Sequence, residues 1–204
     1  MPLKSDHGLR AYAQTLLLAV ALVVLVRSLL LQAFVIPSPS MLPILEAGDY
    51  VLINKLRYGI RLPLVGGWLL RYAEAQPGDV IVFAHPAESQ KDLVKRVIAV
   101  HGETLEIRDR RIYVNGSERE IGSPFFEEVI AGSERNRRFD NYGPVVVPPK
   151  RLFVMGENRD NSDDSRMWGF VKSNDVIGKA FAICWSWDER NRWVRWGRIG
   201  ALIY

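Results

Sequence analysis

Residues 77–83 read PGDVIVF. Proline and glycine ahead of an acid make a turn, and the run from Val80 to Phe83 suits a strand. The same order of glycine, acid and strand-forming residues recurs in AGDYVLI (47–53) and HGETLEI (101–107). Working outward, 93–100, 111–114, 151–155 and 179–187 are also rich in β-branched and aromatic residues. No long amphipathic helix follows residue 37. The predicted class is mainly β, with many antiparallel strands. Residues 131–141, AGSERNRRFDN, mix charges of both signs with glycine and read as a solvated loop.

The other decisive stretch is 11–26, AYAQTLLLAVALVVLV, which carries no charge. As a helix it spans roughly 24 Å, and SLLLQAFVI beyond Arg27 extends the apolar character toward the ~30 Å of a hydrocarbon core. A buried core helix would show a polar face, and this run has almost none. A cleaved signal peptide would have a shorter apolar stretch ending at a small-x-small site. An uncleaved anchor is therefore expected over 11–33. Lys4 and Arg10 precede it, which places residues 1–10 on the cytoplasmic side and 34–204 outside.

With 204 residues, the chain has room for an anchor and one domain. Its hydrophobic content of 48% supplies a packed core and argues against global disorder. The net charge of +4 fits either nucleic acid or anionic lipid. A single cysteine, Cys184, excludes an intrachain disulfide. The three histidines have no neighbours at metal-ligand spacing, so neither metal nor cofactor is expected.

Three patches carry possible chemistry: Ser38-Pro-Ser-Met-Leu-Pro-Ile-Leu45, Leu93-Val-Lys-Arg-Val97, and the run MGENRDNSDDSRMWGF (155–170). Singly, each has an ordinary reading: a proline-flanked loop serine, an edge-strand lysine, a polar turn. Together, and in this order, they resemble the bacterial type I signal peptidase (leader peptidase) family of Ser-Lys serine endopeptidases. The resemblance takes in the preceding anchor and the GDVIVF strand (78–83), and so covers nearly the whole chain. Three positions depart from the common pattern: Ile44 in place of Thr or Ser, Glu157 in place of Asp, and Pro39 where some members have Gly. None is a proposed catalytic side chain.

The resemblance implies a β-rich catalytic domain of the signal peptidase type behind one transmembrane helix. It also implies roles, matched position by position. Ser40 corresponds to the nucleophile and Lys95 to its general base. Ser38 corresponds to the hydroxyl that joins the Ser40 backbone N–H in the oxyanion hole. Ser162 corresponds to a serine that orients the lysine amine, and Asp164 and Arg166 to a supporting ion pair. Partners would be signal-peptide-bearing pre-proteins and the lipid bilayer, with no nucleic acid.

The residues themselves make that chemistry reasonable. Serine needs a base, and lysine serves only as a neutral amine, about one in a thousand at pH 7.4 with an unperturbed pKa. Burial among apolar groups lowers that pKa, and strand alternation puts Leu93 and Val97 on the face of Lys95. A proline at 39 offers no N–H, which leaves the Ser38 hydroxyl as a second oxyanion donor. No histidine lies in the patches, against a Ser-His-Asp triad. Two other classes compete: a Ser-Lys peptidase with a narrower processing or self-cleaving role, and an inactive membrane-tethered β module. Trp185, Trp187, Trp193 and Trp196, interleaved with arginines, fit either a core strand or an interfacial belt, and residues 62–70 a second apolar contact.

Overall fold

The computed structural model describes residues 6–61, 68–88, 90–126 and 139–204. Helix α1 (Asp6–Leu29) leads into β1 (Leu31–Val35), and β2 (Asp49–Asn54) returns alongside it. A small hairpin, β3 (Gly59–Arg61) and β4 (Trp68–Arg71), follows. Next come β5 (Val80–Ala84) and β6 (Asp92–Val100). A second sheet is made by β7 (Thr104–Arg108), β8 (Arg111–Val114), β9 (Ser117–Glu118) and β10 (Tyr142–Val146). The chain then adds β11 (Arg151–Met155), a short helix α2 (Ser165–Trp168), β12 (Val171–Lys172), β13 (Val176–Asp188) and β14 (Trp193–Val194).

The main sheet runs in the order β1-β2-β13-β5-β6-β11-β12, with β14 paired to β13. Neighbouring strands are antiparallel throughout. Central β5 is buried on both faces. Val80 and Val82 join a cluster with Ile36, Met41, Leu45, Val51 and Ile53, while Ile81 and Phe83 join one with Val97, Leu152 and Val154. Register shifts along β13 bend it, so that one long strand serves several neighbours. A third cluster, including Ile98, Leu105, Ile107 and Phe153, fixes the small sheet against β6 and β11.

The repeated glycine-acid pattern is a repeated turn. Gly48, Gly78 and Gly102 all have positive φ, which glycine adopts without steric cost. Each following acid then closes its own turn by accepting the backbone N–H three residues back. Asp49 accepts from Glu46 at 2.8 Å, Asp79 from Gln76 at 3.0 Å, and Glu103 from Val100 at 2.8 Å. Every one also binds a cation: Arg198, Lys179 and Arg119 respectively.

The helix ends earlier than the expected anchor. It ends at Leu29, and 31–33, assigned to the anchor from sequence, belong to β1, where Leu31 pairs with Asn54. An edge of β2 was available for pairing, and that requirement outweighs continued apolar character. The main sheet therefore takes in residues 31–33 as well. Among the described residues no helix is long and apolar enough to cross a membrane, the side chains of 21 and 24–29 lying outside that description. Most of the predicted loop at 131–141 falls outside the described residues, as do 62–67.

Candidate active site

Ser40 sits on a single 3-10 turn, Pro39–Met41, directly after β1. Proline is suited to the first position of such a turn because no donor is needed there. Met41 and Leu45 sink into the core and anchor the turn from below, and Leu45 N donates to Met41 O at 2.9 Å. Ser40 is left buried at the top. The exposed Ser38 hydroxyl lies 3.3 Å from its Oγ.

Lys95 arrives from β6, in register with Ile81 of β5. Leu93 and Val97 pack in the apolar cluster of Ile81 and Phe83, as alternation predicts. Only 3% of Lys95 is exposed, and its Nζ lies 2.5 Å from Ser40 Oγ. Burial pushes the Lys95 pKa down from 10.5 to about 8; Asp164 and Asp163 oppose that shift, and Arg166 and Lys91 reinforce it. At pH 7.4 roughly one amine in five is then neutral.

Residues 156–164 form the third wall. Asp164 caps α2, its carboxylate accepting from the Arg166 backbone N–H at 3.2 Å and from the Arg166 guanidinium at 2.8 and 2.9 Å. Both side chains of this pair are buried. Asp164 Oδ2 also accepts from Gly156 N at 3.0 Å, and Ser165 Oγ accepts from Val154 N at 2.9 Å. The loop is thus pinned to the end of β11. From there Asn158 N donates to the Ser40 carbonyl at 3.1 Å.

Ser162 is brought to the same place but not bonded to Lys95. Its buried Oγ has no hydrogen-bond partner among the described residues. It lies so close to Gly156 that a Cβ there would overlap both Ser162 Oγ and the Ser40 carbonyl. Sequence reasoning missed Gly156 as a site residue, and nothing in a Met-Gly-Glu tripeptide announces a close approach of two loops.

A second omission is the buried ion pair between Arg96 and Glu157. Arg96 follows Lys95 and points to the other face of β6, where its guanidinium also donates to Gly78 O. Glu157 accepts from Ser123 N at 2.9 Å as well. A hint was available, since Lys-Arg and Gly-Glu occur in two of the three patches and strand alternation sends Arg96 away from Lys95.

The sequence profile of the family described as signal peptidase, peptidase S26, matches residues 9–185, which contain most of α1, the Ser40 turn, Lys95 and the 156–164 loop. The chain belongs to that family. Signal peptidase I of Pseudomonas aeruginosa is 34% identical over 231 residues, covering 98% of this chain and 81% of that one. Probable signal peptidase I-1 of Synechocystis is 36% identical, covering 90% and 85%. A crystal structure of a signal peptidase I from Enterococcus faecalis is 31% identical, covers 52% of this chain and 97% of that one, and superposes with a TM-score of 0.41. The signal peptidase match ends within β13, so the segment from Ser186 to Tyr204 lies beyond it.

Proposed function

We propose that this signal peptidase removes N-terminal signal peptides from exported pre-proteins by attack of Ser40 on the scissile carbonyl, with Lys95 as general base. The observation that carries the reading is the buried Lys95 amine, 2.5 Å from the Ser40 hydroxyl. A neutral Lys95 takes the hydroxyl proton as Oγ attacks. The Ser40 N–H and the Ser38 hydroxyl receive the oxyanion. The ammonium then protonates the leaving amine, and the regenerated amine draws a proton from the water that hydrolyses the acyl-enzyme. Asp164 and Asp163, which favour the charged lysine, ease its transient protonation. Ser162 is a positioning residue beside the lysine, and the Asp164–Arg166 pair holds the loop carrying it.

The bilayer is the second partner. Over its 24 residues α1 is about 36 Å long, and Leu16, Leu17 and Leu18, on successive faces about 100° apart, are all exposed. A helix apolar on every side suits hydrocarbon. Beside it Val35, Tyr50 and Trp185 align across β1, β2 and β13 as an exposed row, with Trp196 edge-on to Trp185. These exposures favour the interfacial belt over the core for the tryptophans. The domain would then rest on the extracytoplasmic face of a cell membrane that α1 crosses once.

The test is incubation of detergent-solubilised protein with a pre-protein, beside Ser40→Ala. Release of the mature chain by the wild type alone is expected. Equal cleavage by both would refute the reading.

A further inference from the structure

Arg159 is only 4% exposed. Among the described residues its guanidinium donates to carbonyl oxygens alone: Nε to Gly156 O at 3.1 Å and Nη2 to Ile121 O at 3.3 Å. Three of its five N–H groups are left over. A buried guanidinium without a counter-charge is unfavourable. Burial lowers its pKa to about 10, a shift that Glu157 and Asp164 oppose, but Glu157 is already committed to Arg96 and Asp164 to Arg166.

Arg159 lines a cavity of about 360 Å³ between β8, β9 and the chain approaching Phe126. Arginines outnumber glutamates on its wall, four to two. Three of the arginines are satisfied: Arg110 by Asp140 and Asp160, Arg119 by Glu103, and Arg111 by Glu118. Glu120 is the wall's remaining carboxylate, and among the described residues it forms no ion pair with Arg159. The cavity therefore has one buried positive charge to offer.

We propose that this cavity is a carboxylate subsite for the mature part of the pre-protein, in which Arg159 pairs with an Asp or Glu a few residues beyond the scissile bond. The inference rests on the signal-peptide-processing reading above. Arg159 is two contacts from the nucleophile: its Nε bonds Gly156 O, and Gly156 packs on the Ser40 carbonyl. An extended peptide advances ~3.4 Å per residue, so only a few residues bridge that gap. The acid belongs after the cut because a carboxylate within the apolar signal segment is costly in hydrocarbon. A lipid phosphate fits less well. Helix α1 enters through β1, at the opposite end of the strand order from β6 and β11, against which the small sheet packs.

The experiment compares kcat/KM for pre-protein substrates with Glu or Gln placed in turn at each of the first several positions after the cut. The wild type should favour Glu about tenfold at one position, the value of a charged hydrogen bond. In Arg159→Gln the ratio should fall to one, and Arg159→Lys should restore part of it. Each ratio is taken within one protein, so a reduced folded fraction cancels. Should Arg159→Gln give no activity, Arg119→Glu tests the same field from a half-buried wall position and should reduce the ratio several-fold. Adding anionic vesicles should leave the wild-type ratio unchanged; its loss there would assign the cavity to lipid phosphate and overturn the proposal. A wild-type ratio of one at every position would overturn it too. If the wild type cuts neither series, the processing reading fails instead.

Discussion

Lys95 and Ser40, separated by 55 positions, meet at 2.5 Å between Nζ and Oγ. A loop and a strand interior are held in that register by packing on opposite sides of the sheet: Met41 in one apolar cluster, Leu93 and Val97 in the other. Removing either member should end catalysis without unfolding the domain. Ser40→Ala, Lys95→Ala and Lys95→Arg are each expected to lack measurable pre-protein cleavage while keeping the wild-type circular dichroism spectrum, since guanidinium stays protonated. Near-normal cleavage by any of them would sink the mechanism.

The pH–rate profile should show an acidic limb near 8, where Lys95 loses its proton. A limb near 6.5 would instead indicate histidine. The same shift affects stability. The folded pKa lies below the unfolded one, so burying the ammonium costs about 3 kcal/mol below pH 8, and stability rises as pH climbs from about 8 to 10.5. Denaturant unfolding of Lys95→Met should exceed that of the wild type at pH 7, with the gap narrowing toward pH 10.5.

Asp164 both caps α2 and neutralises Arg166. Asp164→Ala should cost about 3–5 kcal/mol in denaturant unfolding, because a buried guanidinium and the Gly156 N–H lose their acceptor. Asp164→Asn should move the acidic limb to lower pH, since the carboxylate raises the Lys95 pKa. A limb moving upward would show that Asp164 acts on Lys95 in some other way.

Gly156→Ala should push the 156–164 loop off the Ser40 carbonyl. About 100-fold loss of kcat is expected, from a displacement near 1 Å, with KM changed far less. Retention of the full rate would mean that the loop yields without moving Ser40.

Removing residues 1–29 should leave a competent core, whereas removing 1–32 cuts into β1 and exposes the edge of β2. The 30–204 core should be the more stable of the two truncations: its unfolding midpoint should match the full chain's, and that of the 33–204 fragment should fall. The core is also expected to co-sediment with anionic vesicles at low salt, and less so when Trp193 and Trp196 are made polar. A core that stays in the supernatant would leave α1 as the sole membrane contact.

The sequence by itself determined the β class, because alternation and turn chemistry are local. Residues 111–114 and 151–155 become strands with those bounds, and the glycine-acid turns form because the acid bonds only three residues back. The family resemblance of its three patches, taken in order, also singled out Ser40 and Lys95, which the fold brings together, and Asp164 and Arg166, which pair. Tertiary structure alone decided where the N-terminal helix ends, because pairing of Leu31 with Asn54 depends on a strand that arrives later in the chain. It alone decided that Gly156 must lack a side chain and that Arg96 takes Glu157, for both depend on loops distant in sequence closing to contact. And it alone left Arg159 buried with no paired carboxylate among the described residues, since burial and pairing are properties of an enclosure, which no single stretch of residues can encode.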